Sequence, residues 1–467
     1  VVGIGAPGCL PEAKRTIDAS GKYVMPGVID PHVHLGTNPE QFSRLAVSET
    51  GAAVIGGVTT VGCYLRDQGS YLKSYKDYLE TIDNGIYSNM CFHIQISTEE
   101  HLSELPAYAA EIGSTTFKFY MCGNPGIVES ADDGFIYAGF RKVAALGKRA
   151  MASVHAENER IIDRWTREAM AVKQDGNLQD WQDTRPAIAE EEAVIRAARL
   201  AQEAGARLYV VHITSQAAIE RMRLLKKENK NLYAEVTSAH LGLNTQDPIG
   251  MLAKMIPPIR EKKDSDALWR GVREDVVDTF GTDNVTRTIA DKRLDQGMWG
   301  SRTGYAVLGT HLPVLISEGY HKRGVPLLDI VRKATMSPAK IFGLYPRKGT
   351  IGRRRCHPGF GQGAAGRSRE ARVQQRFFHL PGENPQGVAR DDHRQRQGRG
   401  GGRPPGGAKR KRQLSVPASV IWLGGAVNAI NKEHICGNQN RGLQRGLRPH
   451  RRRDHSDRLA AAPHGRL

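Results

Sequence analysis

Six side chains that bind metal ions, or can be converted to do so, lie at the ends of apolar, strand-like runs: His32, His34, Lys118, His155, His212 and Asp283. In a strand, side chains two residues apart point to the same side, so His32 and His34 of PHVHL can bind one cation together. That spacing alone is weak evidence for a metal site, because it also arises by chance. The further histidines and the carboxylate strengthen the evidence, since imidazole with carboxylate suits zinc, and also manganese, iron, cobalt or nickel.

Lys118 is the unusual member of this set. A protonated amine cannot bind a metal and is repelled by cations, whereas a neutral lysine amine adds carbon dioxide to form a carbamate, which is an anion able to bridge two metals. Its neighbours Phe117 and Phe119 favour a buried strand over a surface lysine whose stem lies along apolar residues. Structural roles stay open for the other residues. The histidines can be barrel-core residues bonded to backbone carbonyls, and Asp283 can cap the turn or helix that follows it.

The elements that must position these residues alternate along the chain. Eight strand candidates are separated by helical patterns such as EEEAVIRAARLAQEAG. They are GVIDPHVHL, VTTVGCYL, MCFHIQIS, TTFKFYM, RAMASVHAE, RLYVVHITS, NLYAEVTSAH and VVDTFGTD. This alternation predicts an α/β TIM (β/α)8 barrel, a parallel sheet with right-handed crossovers and an active site at the carboxyl ends of its strands. The candidate ligands fall at the ends of the first, fourth, fifth, sixth and eighth strand candidates.

Several motifs resemble one enzyme family. MPGVIDPHVHL, FKFYM, VHAEN, VVHITS, AEVTSAHLGL, PPIREKKDSDALW and SPAKIFGLYPRKGTIG are similar to segments of the cyclic amidohydrolases, which comprise hydantoinases, dihydropyrimidinases, allantoinases and dihydroorotases. The resemblance runs from residue 1 to about residue 352 and keeps the order of the family's motifs. It is specific for the metal site and much less specific for the substrate.

The resemblance implies a two-metal hydrolytic centre, with zinc as the expected metal. His32, His34 and Asp283 would bind the inner ion, His155 and His212 the outer ion, and Lys118, as its carbamate, would bridge the two. A metal-bridging hydroxide would attack the amide carbonyl of a small cyclic amide. Asp283 would act as general base and then as general acid towards the leaving ring nitrogen. Asn284 stands where relatives usually have histidine, which puts outer support of the site in doubt.

The substrate stays open. Gly123 stands where D-selective hydantoinases commonly carry a tyrosine, and Ile256 where they often carry a serine, so neither side chain supplies a polar contact. Arg66 is a candidate for binding a carboxylate or imide oxygen, although a solvated loop arginine is the alternative. Trp299 and Arg302 either line the mouth or serve packing. Besides a hydantoinase or dihydropyrimidinase, the alternatives are an allantoinase, a cyclic-imide hydrolase, or a non-catalytic scaffold, although a scaffold of this family typically lacks metal ligands.

Charge divides the chain into unequal parts. Residues 353–467 carry 25 of the 67 Lys and Arg and seven of the 49 Asp and Glu, which leaves 42 of each sign in the first 352 residues. We expect residues 1–24 to be the remnant of a small β domain, in relatives a β-sandwich built from both termini. Residues 25–345 form the barrel with its dinuclear site, and residues 346–467 a basic, Gly- and Arg-rich tail.

The tail has two interpretations. Clustered arginines suit a nucleic-acid-binding arm, because they neutralise phosphates. A frameshift explains more: in degenerate codons read one nucleotide forward, 352–360 permits VGADAILV, and 387–398 permits GWPVMTIVNGK, both of which resemble strands of the family's β domain. We therefore expect an aberrant or disordered tail, no nucleic-acid partner, and impaired assembly, whereas relatives are homotetramers that use this region.

Cysteines and hydropathy bear on the compartment. The six cysteines form no C-x-x-C pair, no apolar run approaches the length of a membrane span, and VVGIGAPG lacks the features of a signal peptide. We expect a reduced, cytoplasmic protein without a membrane partner.

Overall fold

The computed structural model describes residues 12, 13, 15–83, 85–124 and 126–351, together with the backbone of 420–422. Its strands are β1 Tyr23–Met25, β2 Val28–His34, β3 Val58–Leu65, β4 Asn89–Gln95, β5 Thr116–Tyr120, β6 Met151–His155, β7 Leu208–Val210, β8 Leu232–Thr237, β9 Thr279–Gly281, β10 Asn284–Val285 and β11 Val420–Trp422.

The helices lie mainly between the strands. The α-helices are α1 Pro39–Ile55, α2 Tyr71–Asp83, α3 Glu99–Ala107, α4 Asp133–Ala145, α5 Glu159–Val172, α6 Leu178–Asp183, α7 Ala187–Ala204, α8 Gln216–Glu228, α9 Ser238–Gly242, α10 Lys262–Arg273, α11 Ile289–Lys292, α12 Gly297–Gly300, α13 His311–Val314, α14 Leu327–Val331 and α15 Ser337–Ile341. Short 3-10 segments cover Gly250–Ala253, Leu294–Gln296 and Leu308–Thr310, and π-helical turns cover Tyr108–Ile112, Leu315–His321 and Arg332–Met336.

The large sheet closes into a barrel. Strands β2 to β9 pair in chain order, every pair is parallel, and β10 pairs with β2. Because only Thr282 and Asp283 separate β9 from β10, these two segments act as one eighth strand whose first half contacts β8 and whose second half contacts β2. The eight predicted strands and the TIM barrel are confirmed.

Alternation along β5 determines where Lys118 points. Phe117 and Phe119 are fully buried, and the ring of Phe119 packs edge-on against Phe140 of α4, with 5.3 Å between the ring centroids. Helix α4 approaches closely because it has Gly139 at this point, where a Cβ would fall 2.3 Å from the ring of Phe119. With both phenylalanines packed outward, the side chain of Lys118 lies on the opposite face of the strand, inside the barrel.

A small second sheet joins the two ends of the described chain. Strand β1 pairs in parallel with β11, with Tyr23 opposite Val420 and Met25 opposite Trp422. Half of the predicted β-domain remnant at 1–24 and nearly all of the 346–467 tail lie outside the described residues. The frameshift, the nucleic-acid arm and the domain boundaries therefore stay predictions. No helix in the described part of the chain has the length and apolar character needed to cross a bilayer.

Candidate metal centre

Three predicted ligands form a compact triangle at the mouth of the barrel. His32 Nε2, His34 Nε2 and Asp283 Oδ1 lie 3.2 Å from one another along all three sides. Ligands on a tetrahedral zinc ion, with bonds of about 2.0 Å, are separated by about 3.3 Å. The triangle therefore has the dimensions of one face of a metal coordination sphere.

The other two histidines form a second group beside this triangle. The ring centroid of His155 lies 4.6 Å from that of His212, which stacks at 5.4 Å on His32. Glu157 Oε2 lies 2.8 Å from His155 Nε2, which leaves Nδ1 of that ring available to a metal. Burial lowers the pKa of His32, His34 and His212 well below the usual value, so these imidazoles are neutral, as metal ligands must be.

Lys118 lies between the two groups in an environment that favours the neutral amine. It is fully buried, and its Nζ has no hydrogen-bond partner among the described residues. The nearest groups include the rings of Tyr64 and Tyr120, with centroids 4.9 and 5.1 Å away. Burial lowers the pKa of Lys118 to about 7, although Asp283 and Glu235 oppose the shift. The lowered pKa makes the neutral amine, which is the form that reacts with carbon dioxide, accessible near neutral pH.

Two of the candidate ligands have unusual backbone conformations. His212 has φ +40° and Asp283 has φ +52°, in the left-handed region that residues other than glycine rarely adopt. The amide of Asp283 is held by the carbonyl of His32 at 2.9 Å, which fixes the bend between β9 and β10. Such conformations cost about 1–3 kcal/mol each and cluster at functional sites.

Carboxylates that sequence reasoning missed orient the histidines. Glu235 Oε1 accepts hydrogen bonds from His32 Nδ1 at 2.7 Å and from the amide of His212 at 3.0 Å. Glu157, which holds His155, is itself paired with Arg185 at 2.9 Å. The signal was available in the sequence: each is a lone charge in an apolar strand or just beyond one, in LYAEVT and VHAE. Carboxylates of this kind fix the ring orientation and raise ligand basicity.

Asn284 supports the barrel rather than the candidate ligands. Its amide nitrogen donates to Glu49 of α1 at 2.9 Å, and its oxygen accepts from the amides of Val307 and Leu308. The side chain thus ties the loop after β10 to α1, while outer support of the histidines comes from Glu235 and Glu157. The absence of a histidine at position 284 therefore leaves the hydrogen bonds of Glu235 and Glu157 to the ligand histidines in place.

All three substrate-binding candidates line the same cavity as the six predicted ligands. Gly123 is confined by its loop: a Cβ would fall 2.9 Å from the carbonyl oxygen of Val128 and 3.1 Å from Glu159, so no tyrosine fits without rearrangement. Ile256 contributes an apolar wall. Arg66 is half-buried, unlike a solvated loop arginine, and its Nη2 lies 3.3 Å from His34 Nε2 and 3.1 Å from the hydroxyl of Tyr120.

Arg66 contacts one atom of the ligand triangle. Its guanidinium donates to His34 Nε2, the nitrogen that also belongs to the triangle. A cation held by His34 at that nitrogen would take the place of this hydrogen bond. Arg66 also lines the wider cavity outside.

Comparison with known proteins agrees with this geometry. Residues 23–353 match the model of the Amidohydrolase family. The chain is 34% identical to the D-hydantoinase of Geobacillus stearothermophilus over 359 residues, which cover 72% of this chain and 73% of that protein. It is 33% identical to the allantoinase of Solibacter usitatus, covering 73% of this chain and 75% of that protein.

A solved structure shares the fold. The dihydropyrimidinase of Brevibacillus agri is 29% identical and superposes with a TM-score of 0.68, covering 75% of this chain and 78% of that structure. The chain belongs to the amidohydrolase family and, within it, to the cyclic amidohydrolases, which are metal-dependent hydrolases of carbon–nitrogen bonds.

Proposed function

We propose that this protein opens the ring of a hydantoin, a dihydropyrimidine or a related cyclic amide, with the help of two divalent ions, zinc by preference. The observation that carries the proposal is the 3.2 Å triangle of His32, His34 and Asp283 beside a buried Lys118 whose Nζ has no partner. A barrel core stabilised only by packing has no need of three polar atoms at coordination distance, or of an unpaired amine.

The six candidate ligands fall into two sets with one shared member. His32, His34 and Asp283 would hold one ion, and His155 and His212 would hold the other. The carbamate of Lys118 would bind both ions. When bound, the ions supply a water of lowered pKa and polarise the amide carbonyl. The chain supplies orientation, through Glu235 and Glu157 on the histidines.

Asp283 is the residue proposed to move the proton. Burial raises the pKa of its carboxyl, which makes it a better base than an exposed aspartate. Its position beside both histidines allows it to take a proton from the attacking water and deliver it to the leaving ring nitrogen. Without that delivery the amide nitrogen would leave as an anion, which is unfavourable at neutral pH.

The test combines metal content with turnover. We expect about two zinc or manganese ions per chain by elemental analysis, together with hydrolysis of hydantoin, dihydrouracil, allantoin or a cyclic imide in a substrate panel. The double variant His32→Ala/His34→Ala should lose both metal and turnover. His321→Ala, which changes an exposed histidine far from the triangle, serves as the matched control. A folded, metal-free wild-type chain without turnover on the panel would favour the scaffold alternative.

A further inference from the structure

An unusual concentration of arginines surrounds the outer cavity. This cavity, of about 960 Å³, continues outward from the metal-centre cavity of about 40 Å³, and the two share Arg66 and Arg287 in their walls. Arg44 and Arg302 complete the set of outer-cavity arginines. The inner space holds little more than water, so the ring must sit at the junction with its substituent in the outer cavity.

We propose that the outer cavity binds an anionic group on the ring substituent, so that the preferred substrates are cyclic amides whose side chain carries a carboxylate. This inference rests on the proposed function and specifies its substrate class. It assigns to Arg66, Arg287 and Arg302 the recognition of the anion.

Arginines outnumber acidic side chains four to one in the wall of the outer cavity. None of the four arginines forms an ion pair with a carboxylate of the described residues. Asp291 is the one acidic side chain among the described residues that line the outer cavity, and it already caps α11 by accepting hydrogen bonds from the amide and hydroxyl of Thr288. Guanidinium groups that face a cavity without an ion-pair partner can bind a carboxylate by charge-assisted hydrogen bonds.

The basic character of the outer cavity differs from the charge balance of residues 1–352 as a whole. Over the first 352 residues the basic and acidic side chains are equal in number, at 42 each, so a basic mouth does not follow from composition. Burial lowers the pKa of Arg287, and the nearby Arg302 and, to a smaller extent, Arg66 lower it further, as expected when like charges crowd together, while Asp291 opposes the shift. Repulsion of this kind costs stability, and an anionic ligand relieves it.

Buried lysines hold the arginine-bearing loop in place. Lys254 Nζ donates to the carbonyls of Met298 and Ser301, at 2.5 and 2.6 Å, and Lys292 Nζ donates to the carbonyl of Gly304 at 3.1 Å. Arg287 is fixed to the same loop, because its Nε donates to the carbonyl of Thr303 at 2.7 Å. This framework fixes the backbone on both sides of Arg302, from which its exposed side chain extends at the cavity wall.

A matched pair of substrates tests the inference. Hydantoin with a 5-(2-carboxyethyl) group and its 5-(2-carbamoylethyl) counterpart have the same shape and differ by one charge. Because a hydrogen bond to a charged group is worth more than one to a neutral group, we expect the acid to show a kcat/KM about 10- to 100-fold higher. The advantage should shrink as salt is raised.

Variants assign the preference to residues. Arg287→Gln and Arg302→Gln should each lower kcat/KM for the acid more than kcat/KM for the amide, and so reduce the preference for the acid. Arg199→Gln, on the exposed face of α7, is the control and should retain the full preference. Equal kcat/KM for the two substrates would overturn the inference. A higher kcat/KM for 5-benzylhydantoin than for the acid would also overturn it, because an apolar wall such as Trp299 would then determine the preference.

Failure of the proposed function can be distinguished from failure of the anion-site inference. If the metal-loaded protein hydrolyses neither hydantoin and no ring of the substrate panel, the ring-opening proposal fails, and calorimetric titration of the same two hydantoins decides the anion site. Tighter binding of the acid that is lost in Arg287→Gln supports the site. Equal dissociation constants contradict it.

Discussion

Glu235 is the residue whose replacement best tests how the candidate metal centre is organised. It is fully buried; one carboxylate oxygen accepts from His32 Nδ1 at 2.7 Å and the amide of His212 at 3.0 Å, and the other accepts from the hydroxyl of Tyr209 at 2.7 Å. One side chain thereby fixes a ligand from each of the two histidine groups. We expect its loss to weaken metal binding without removing any ligand.

The size of the effect follows from what each substitution removes. In Glu235→Gln the amide oxygen can keep both N–H donors, while the amide nitrogen meets Tyr209, whose hydroxyl can turn to donate to Thr279 Oγ1 at 2.6 Å. Only the charge is lost, so zinc affinity should fall about tenfold, or about 1.4 kcal/mol. Glu235→Ala also frees the ring of His32, and the fall should approach about 100-fold, or about 2.7 kcal/mol.

Competition with a chromophoric chelator measures these affinities, and circular dichroism of the metal-free proteins shows whether each variant folds. Tyr209→Phe is the control, because it removes a hydrogen bond to the same carboxylate but leaves the contacts to His32 and His212. Folded Glu235→Ala with wild-type zinc affinity would show that the orientation of His32 does not depend on this carboxylate, and the reasoning would be refuted.

Other replacements address the bridge, the proton and the loop. Lys118→Ala should abolish turnover, with partial rescue by short carboxylates; wild-type activity would remove the carbamate from the mechanism. Since the pKa of Lys118 is lowered to about 7, its neutral form dominates above that pH. Zinc with bicarbonate should therefore restore activity to metal-free protein faster at pH 8 than at pH 6. Equal rates would count against carbamate formation on the neutral amine. Asp283→Ala should retain much of its metal yet lose activity by several powers of ten, and near-normal turnover would exclude it as the base. Gly123→Ala places a Cβ 2.9 Å from the carbonyl of Val128 and should lower stability by about 1–3 kcal/mol in urea titration. Gly69→Ala, whose Cβ would meet nothing within 4 Å, is the control.

The sequence predicted the barrel and the gathering of six residues because both depend on local patterns. Alternating strands and helices favour a parallel closed sheet, and the carboxyl ends of its strands meet at one end. His32, Lys118 and Asp283 therefore had to lie near one another once each was placed at a strand end. The flanking Phe117 and Phe119 indicated that Lys118 points inward, and the structure agrees.

Tertiary structure alone decided the finer arrangement, because it depends on contacts between residues far apart in the chain. No local pattern tells that Glu235 reaches His32, that Asn284 turns to Glu49, or that Arg66 and Arg287 line one cavity. These contacts arise when the eighth strand closes against the first, which sets the distances between strand ends. Strand periodicity fixes the face on which a side chain lies, whereas closure of the barrel determines which partner it meets there.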